Sequence, residues 1–466
     1  MQRNKKQSLV EQVQRFRARF AQSVATTLGD VIPTQPLLEW IAQEVGTYRE
    51  RIYGPLTTLA LFIEQVLGAD HSCQDAVARG LSTRVALGQP TCSLNTGPYC
   101  KARTRLPLSL LQRLAREVAA RLCESQPAAW RWRAREVKLI DGTTVSMPDT
   151  PANQARFPQH RSQRAGLGFP VARLVAMVSL SAGAVLDWAL DACEGKNTGE
   201  TALFWSLMPA LRSGDVVIAD GYYCGYFLIA RLITLGVDVV MPQHHLRKTD
   251  FRRGEHLGAR DHVVSWRRPQ RPDWMDEPTY ATMPETLTIR EARVGGRTLV
   301  TTFTDARAVA KQELADLYAM RWQVELDLRS IKSVMQMDVL RCKTPTMVEK
   351  EIAVHLLAYN LVRSVMAQAA YAVNCLPRQL SFKAALQLLN AFEMSLRHHP
   401  GGDLLGPRAP LLNAIARRRL LHRPGRVEPR AVKRRAKPHD LLTRPRHVVR
   451  RRLLKLQGRR MAALLR

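Results

Sequence analysis

Two apolar runs in this chain end in the same step, an Asp followed by a Gly, and that repetition constrains the fold more than any other feature. Val137–Asp141 continues into Gly142, and Asp215–Ala219 continues into Asp220-Gly221. Short apolar runs of this kind read as buried strands. Between them lie Ala172–Leu180 and Ala184–Leu190, two strand-like runs around Ser181-Ala182-Gly183, which is a hairpin signal, and then a helix over Glu200–Leu211. After the second acid come a helix over Gly225–Leu235 and a strand over Val237–Met241. Strand, hairpin, helix, strand, helix, strand makes a layered α/β domain.

The rest of the 466 residues differs in texture. Residues 1–130 read as helical, with candidates at 8–28, 36–49, 56–67, 73–87 and 108–124. Short helices with tight turns suit a helix-turn-helix DNA reader or a plain helical bundle, and the pattern does not choose between them. Residues 243–296 are rich in Arg, His, Pro and Trp and read as a mostly β insertion. Arg297–Phe303 returns as a strand, and two long helices follow, Ala308–Gln336 and Val348–Tyr371. From about 408 the chain carries some 20 Lys and Arg and few acids. Such a block is a DNA-backbone arm or a solvated tail. The expected segments are therefore 1–130, 131–242, 243–296, 297–375 and 376–466.

Charge narrows the partner. Seventy Lys and Arg face forty Asp and Glu, a formal charge of +30. A compact chain so charged repels itself unless a polyanion neutralises it, which points to nucleic acid. No run approaches the ~18 apolar residues of a membrane span, and the basic N-terminus leads into no signal core. A cytoplasmic protein is expected. The eight cysteines are scattered without a Cys-x2-Cys pair, so free thiols are expected and a zinc knuckle is not.

Taken singly, each Asp-Gly reads first as an ordinary turn. A glycine beside a strand-end acid also lets another group come close, and active groups gather where strands end. On the first long helix, Tyr318, Arg321, Glu325 and Lys332 fall within an arc of roughly 60° on an ideal helix. Leu317, Val324, Leu328, Ile331 and Met335 form the adjoining core stripe. Ordinary i, i+4 ion pairing, Arg321–Glu325 or Glu325–Arg329, would explain the charges equally well. Phosphoryl transfer supplies another reason for these residue types. Two divalent ions can activate a nucleophile and stabilise the leaving oxygen, and they need hard carboxylate ligands. Tyr, Arg and Lys on the same face would hold phosphates.

Leu139-Ile140-Asp141-Gly142-Thr143-Thr144, Ala219-Asp220-Gly221-Tyr222 and Tyr318-x2-Arg321-x3-Glu325-x6-Lys332 together resemble the DDE transposases of bacterial insertion sequences. The branch they are most similar to is the IS-four family, whose hallmark is that Tyr-Arg-Glu-Lys spacing. The resemblance covers about residues 136–373 and implies an RNase H-like catalytic domain with a mixed sheet. A β-rich insertion, an N-terminal helical DNA-binding region and a basic C-terminal tail would accompany it. It implies Asp141, Asp220 and Glu325 as catalytic metal ligands, for two Mg2+ ions with Mn2+ as substitute. Tyr318, Arg321, Trp322 and Lys332 would contact DNA. The implied partners are double-stranded DNA, as transposon ends and target, and a second copy of the chain in a synaptic dimer. Where such enzymes cut through a hairpin, an insertion Trp stacks on a flipped base, and Trp266 and Trp274 are the candidates.

Other polar clusters fit less well. His244, His245, His256 and His262 match no zinc spacing and read as DNA contacts or solvated histidines. Asp187, Asp191, Glu194 and Asp238 lack the Asp-Gly setting. Gly195-Lys196-Asn197-Thr198-Gly199 lacks the order of a phosphate loop, so no nucleotide cofactor is expected. The rival functions are an inactive or domesticated DNA-binding regulator and a nonspecific nuclease.

Overall fold

A computed structural model describes residues 31–32, 34–48, 51–86, 88–397, 405–420 and 442–464. The expected helix at 8–28 lies outside them. The N-terminal helices are α1 (Thr34–Val45), α2 (Pro55–Leu67), α3 (Cys73–Ala86), α4 (Gly97–Arg105) and α5 (Leu108–Glu124). Helix α4 is absent from the sequence expectation because its sequence, GPYCKARTR, has no apolar stripe. It is held instead by Tyr99, whose hydroxyl donates to Gln65 at 2.9 Å, and by Arg103, whose guanidinium lies 4.9 Å from the ring centre of Phe62. A cation over an aromatic face is core packing that hydrophobic periodicity cannot register.

One nine-stranded sheet runs through the molecule. Its members are β1 (Val137–Ser146), β2 (Val171–Ser179), β3 (Val185–Ala192), β4 (Val216–Ile218), β5 (Asp238–Pro242), β6 (Glu255–Gly258), β7 (Asp261–Arg267), β8 (Thr286–Val294) and β9 (Arg297–Thr301). The spatial order is β3-β2-β1-β4-β5-β9-β8-β7-β6. Strands β1, β2 and β3 are antiparallel, β1, β4 and β5 are parallel, and β9 returns antiparallel to β5. That mixed order over the first five strands is RNase H-like. The insertion does not build a sheet of its own, since β6, β7 and β8 extend the same one beyond β9.

The turn between β2 and β3 falls where the sequence predicted it, at Gly183 with φ +71. That φ favours glycine, and a side chain there would also crowd the Arg363 guanidinium at 2.8 Å. Helices cover both faces. Helix α6 (Pro151–Arg156) follows β1, α7 (Glu200–Leu207) precedes β4 and α8 (Tyr226–Thr234) precedes β5. Residues of α7 and α8 pack with Ile140, Val217 and Val239 on one face. The other face carries Leu139, Val216 and Ile218 against the long α12 (Pro345–Ala372), whose opposite flank receives Phe62 and Ile63 of α2 and Leu111 and Leu114 of α5. A 28-residue helix buried on nearly all sides is a core strut, and it reads as such, because its apolar residues follow no single stripe.

The helix expected over Ala308–Gln336 is not continuous. It is α10 (Lys311–Ala319), a break at Met320–Arg321, α11 (Trp322–Arg329) and a π-helical turn over Ser330–Val334. At the break, Met320 and Arg321 donate three residues back, to Leu317 and Tyr318, which tightens the turn and offsets the two axes. The core stripe survives, with Leu317, Val324, Leu328, Ile331 and Met335 all buried. Each piece needs only its own turn or two to present that stripe, which is why periodicity alone missed the break. The remaining helices are α9 (Glu277–Ala281) in the insertion, α13 (Phe382–Arg397), α14 (Leu405–Ala416) and α15 (Arg446–Leu464). Among the described residues no helix is long and apolar enough to cross a membrane.

Candidate active site

The two Asp-Gly acids come together through strand register. Strands β1 and β4 pair in parallel at Val137↔Val216, Lys138↔Val217 and Leu139↔Ile218, and there the ladder ends. Asp141 and Asp220 each lie two residues past that last pair, so they are neighbours on the same face. Asp141 is not at the end of its strand, as the apolar run suggested. Strand β1 continues to Ser146 because β2 goes on pairing with it, Asp141 opposite Ala176. Only the β4 side of the ladder opens, and the opening is the site.

Each carboxylate is pinned by one oxygen. Asp141 Oδ1 accepts from its neighbour's amide, Gly142 N, at 2.9 Å, and Asp220 Oδ1 accepts from Tyr222 N at 2.8 Å, capping the 3-10 turn Gly221–Tyr223. The two glycines admit close neighbours, as expected. A Cβ on Gly221 would meet the Gln243 and Pro242 carbonyls at 3.2 and 3.3 Å, and one on Gly142 would strike the Glu200 carboxylate at 2.4–2.8 Å.

Helix α11 brings Glu325 to this opening. Arg321 Nη2 donates to Glu325 Oε1 at 2.6 Å, and Arg321 Nη1 stands 3.8 Å from Asp141 Oδ2. The i, i+4 ion pair therefore forms, and its cation also faces the strand-end acid. The π turn then swings Lys332 back, so that its Nζ donates to Thr143 Oγ1 at 3.0 Å. Past the turn the chain is tied to the end of β1, Ser146 N donating to Asp338 O and Leu340 N to Ser146 O. Tyr318 is half-buried, its hydroxyl held up in pKa by burial, with Arg321 opposing. Trp322 is half-exposed on the outer side.

Beneath α11 lies a polar anchor that the sequence did not reveal. Asp327, wholly buried, receives Tyr359 Oη at 3.0 Å and the guanidinium of Arg363, with Arg378 Nη2 2.9 Å from its other oxygen. Three separate elements meet there, and only Tyr359 and Arg363 are linked by a local spacing, four apart on α12.

Burial, with help from Asp220 and Glu325, raises Asp141 to about 6, while the Gly142 amide and Arg321 pull it down. A buried acid among acids gains most from a cation. Among the described residues no three His, Cys, Asp or Glu side chains stand close enough together to enclose an ion as placed. Arg321 sits between Asp141 and Glu325 and supplies positive charge there. Oxygen-only carboxylate donors suit a hard divalent ion, which would compete with that guanidinium.

Other expectations change. Trp266 is a core residue at 4% exposure, its Nε1 donating to Glu291 Oε1 at 2.8 Å and its face covered by Arg247. Trp274 is 53% exposed and stands beside Trp205 and Phe227 in a cavity of about 500 Å3 that Tyr222 also lines. His262 is neither solvated nor outward, being buried between Arg253 O and Glu291. The rival acids are absorbed in ion pairs, Asp187 with Arg116, Asp191 with Arg156, Glu194 with His160 and Asp238 with Arg135. Among the described residues all eight cysteines are free thiols.

A mixed sheet in this order, with acids where its central parallel ladder opens, is the frame of an RNase H-like catalytic domain. Residues 132–361 match the family described as Transposase DDE domain, and this region of the chain belongs to it. The chain is similar to the transposase InsG for insertion sequence element IS4 of Escherichia coli K12, at 29% identity over 343 residues, covering 70% of this chain and 75% of that one. A shorter stretch of 71 residues is 32% identical to the putative transposase InsL for insertion sequence element IS186A of the same organism, 15% of this chain and 19% of that one. The cryo-EM structure of a piggyBac transposase synaptic complex with hairpin DNA aligns over 87% of both chains at 11% identity and a TM-score of 0.43.

Proposed function

We propose that the chain excises and joins DNA at the inverted terminal repeats of an insertion sequence by metal-dependent phosphoryl transfer. Asp141, Asp220 and Glu325 would hold two divalent ions, Mg2+ or Mn2+, whose chemistry there would be to lower the pKa of a bound water or hydroxyl and to neutralise charge on the leaving oxygen. The observation that carries this reading is the single guanidinium of Arg321 facing both Asp141 and Glu325, which brings the helix-borne acid to the strand-borne pair. Asp141 must be ionised to bind metal, and its raised pKa makes a nearby cation the natural partner.

Tyr318, Arg321, Trp322 and Lys332 would hold the DNA strand next to the scissile phosphate, the cations by charge-assisted hydrogen bonds and Trp322 by its exposed ring. Two copies would pair two ends in a synaptic dimer. If cleavage passes through a hairpin, Trp274 is the insertion residue with a face to offer a displaced base, since Trp266 is enclosed. The test is incubation of the full chain with DNA bearing the element's own ends. With Mg2+ or Mn2+ it should yield nicked ends and products joined to target DNA, and chelation should stop both. Nicking without preference for the ends would indicate a nonspecific nuclease instead.

A further inference from the structure

The acid whose neighbours call for a role is Glu200, which no motif singles out. It opens α7, immediately after Gly199. A carboxylate in a first helical turn is favoured by the helix dipole, and that would be satisfied by a side chain facing solvent. Glu200 instead turns in over β1. Its carboxylate lies where a side chain on Gly142 would be, 2.4–2.8 Å from that Cβ position, so any larger residue after Asp141 would displace it. Gly142 has no left-handed φ, and the turn preference of an Asp-Gly step does not explain it.

On its other side Glu200 Oε2 accepts from Tyr223 Oη at 3.2 Å. Tyr223 is buried and lies three residues after Asp220, in the turn that Asp220 caps. After burial, the charges of Glu200, Asp141 and Asp220 push the Tyr223 hydroxyl up, with Glu200 the one in hydrogen-bond contact. Glu200 thus spans the segments that carry the two aspartates. Its ion pairing is long. The nearest cation is Arg173, whose Nε is 4.0 Å away and whose Nη1 donates to Thr198 O. The Glu200 side chain keeps 31% of its surface open.

We propose that Glu200 is a fourth functional carboxylate of this site, a positioning residue that holds the Asp141 and Asp220 segments together and lends its charge to the divalent ions. The inference rests on the metal-dependent reading above. A purely structural Glu200 would be replaceable by Gln, which fills the same space and still accepts from Tyr223. An electrostatic one would not.

The measurement is Mn2+ binding to the full chain without DNA, read as free Mn2+ by electron paramagnetic resonance, for wild type, Glu200→Gln and Asp141→Asn. Glu200→Gln should weaken Mn2+ binding about tenfold, as loss of a group supporting metal ligands does, while its melting temperature stays at the wild-type value. Wild-type Mn2+ affinity in Glu200→Gln beside a clear loss in Asp141→Asn would overturn the role of Glu200 and leave the metal site standing. Equal binding by Asp141→Asn and wild type would overturn the metal reading and this inference with it. Should Glu200→Gln fail to fold, Glu200→Asp must bind Mn2+ more tightly than Glu200→Ala, and equal affinity of that pair would sink the proposal.

Discussion

At the scale of single residues, Asp141 carries the clearest physical consequence. Burial is the main reason its pKa stands near 6 rather than at the usual carboxylate value. An acid whose folded pKa is raised contributes stability that is fully present below its unfolded pKa and is lost as pH climbs through the folded one. In metal-free protein that loss runs between about pH 4 and 6. Asp141→Asn should therefore stabilise the metal-free chain at pH 8 by ~1–2 kcal/mol, seen as a higher melting temperature, with little difference from wild type near pH 4. A lower melting temperature at pH 8 would mean that the carboxylate is already compensated. Arg321 tests a second point. Arg321→Ala should weaken binding to end DNA and reduce the slope of log affinity against log salt by about 1. An unchanged slope would place Arg321 off the phosphates. The acids and the Tyr-Arg-Glu-Lys set were legible in the sequence because each stands in a fixed spacing. Glu200 and Asp327 were not, because their partners come from other elements.

At the scale of elements, the sequence spoke clearly wherever one element buries one face. The hairpin at Gly183, the strands β2 and β3 and the buried stripe of α10 and α11 all fall where alternation or helical periodicity puts them. Three features escaped. The extension of β1 past Asp141 depends on pairing with β2, the break at Met320–Arg321 leaves the stripe intact, and α4 is packed by a tyrosine and an arginine. Trp266 misled for a related reason, since a Trp in a basic segment reads as exposed until Glu291 is placed beside its indole N–H. What sets the position of α11 is Asp327, held by Tyr359 and Arg363 of α12 and by Arg378. Removing one partner of a buried charge network leaves the others uncompensated, so Asp327→Ala should cost about 3–5 kcal/mol. Chemical denaturation would measure it. A loss under 1 kcal/mol would show that α11 is held by its apolar stripe alone.

At the scale of the whole molecule, a continuous sheet joins the catalytic face to the insertion, and α12 joins that sheet to the N-terminal helices. A net charge of +30 on such a frame suits a long duplex laid across several elements at once. Whether this frame is a DNA-cutting machine turns on Glu325, the acid that α11 brings to the two aspartates. On the proposed reading, Glu325→Gln would remove a metal ligand and no phosphate contact. The decisive measurement sets wild type and Glu325→Gln side by side on DNA carrying the element's ends, scoring end binding and Mg2+- or Mn2+-dependent cleavage and joining in the same samples. The account predicts near-normal end binding by both proteins, with cleavage and joining lost only in the variant. Full cleavage by Glu325→Gln would contradict the assignment of the third carboxylate, and end binding without cleavage by wild type would make the chain a regulator rather than a transposing enzyme.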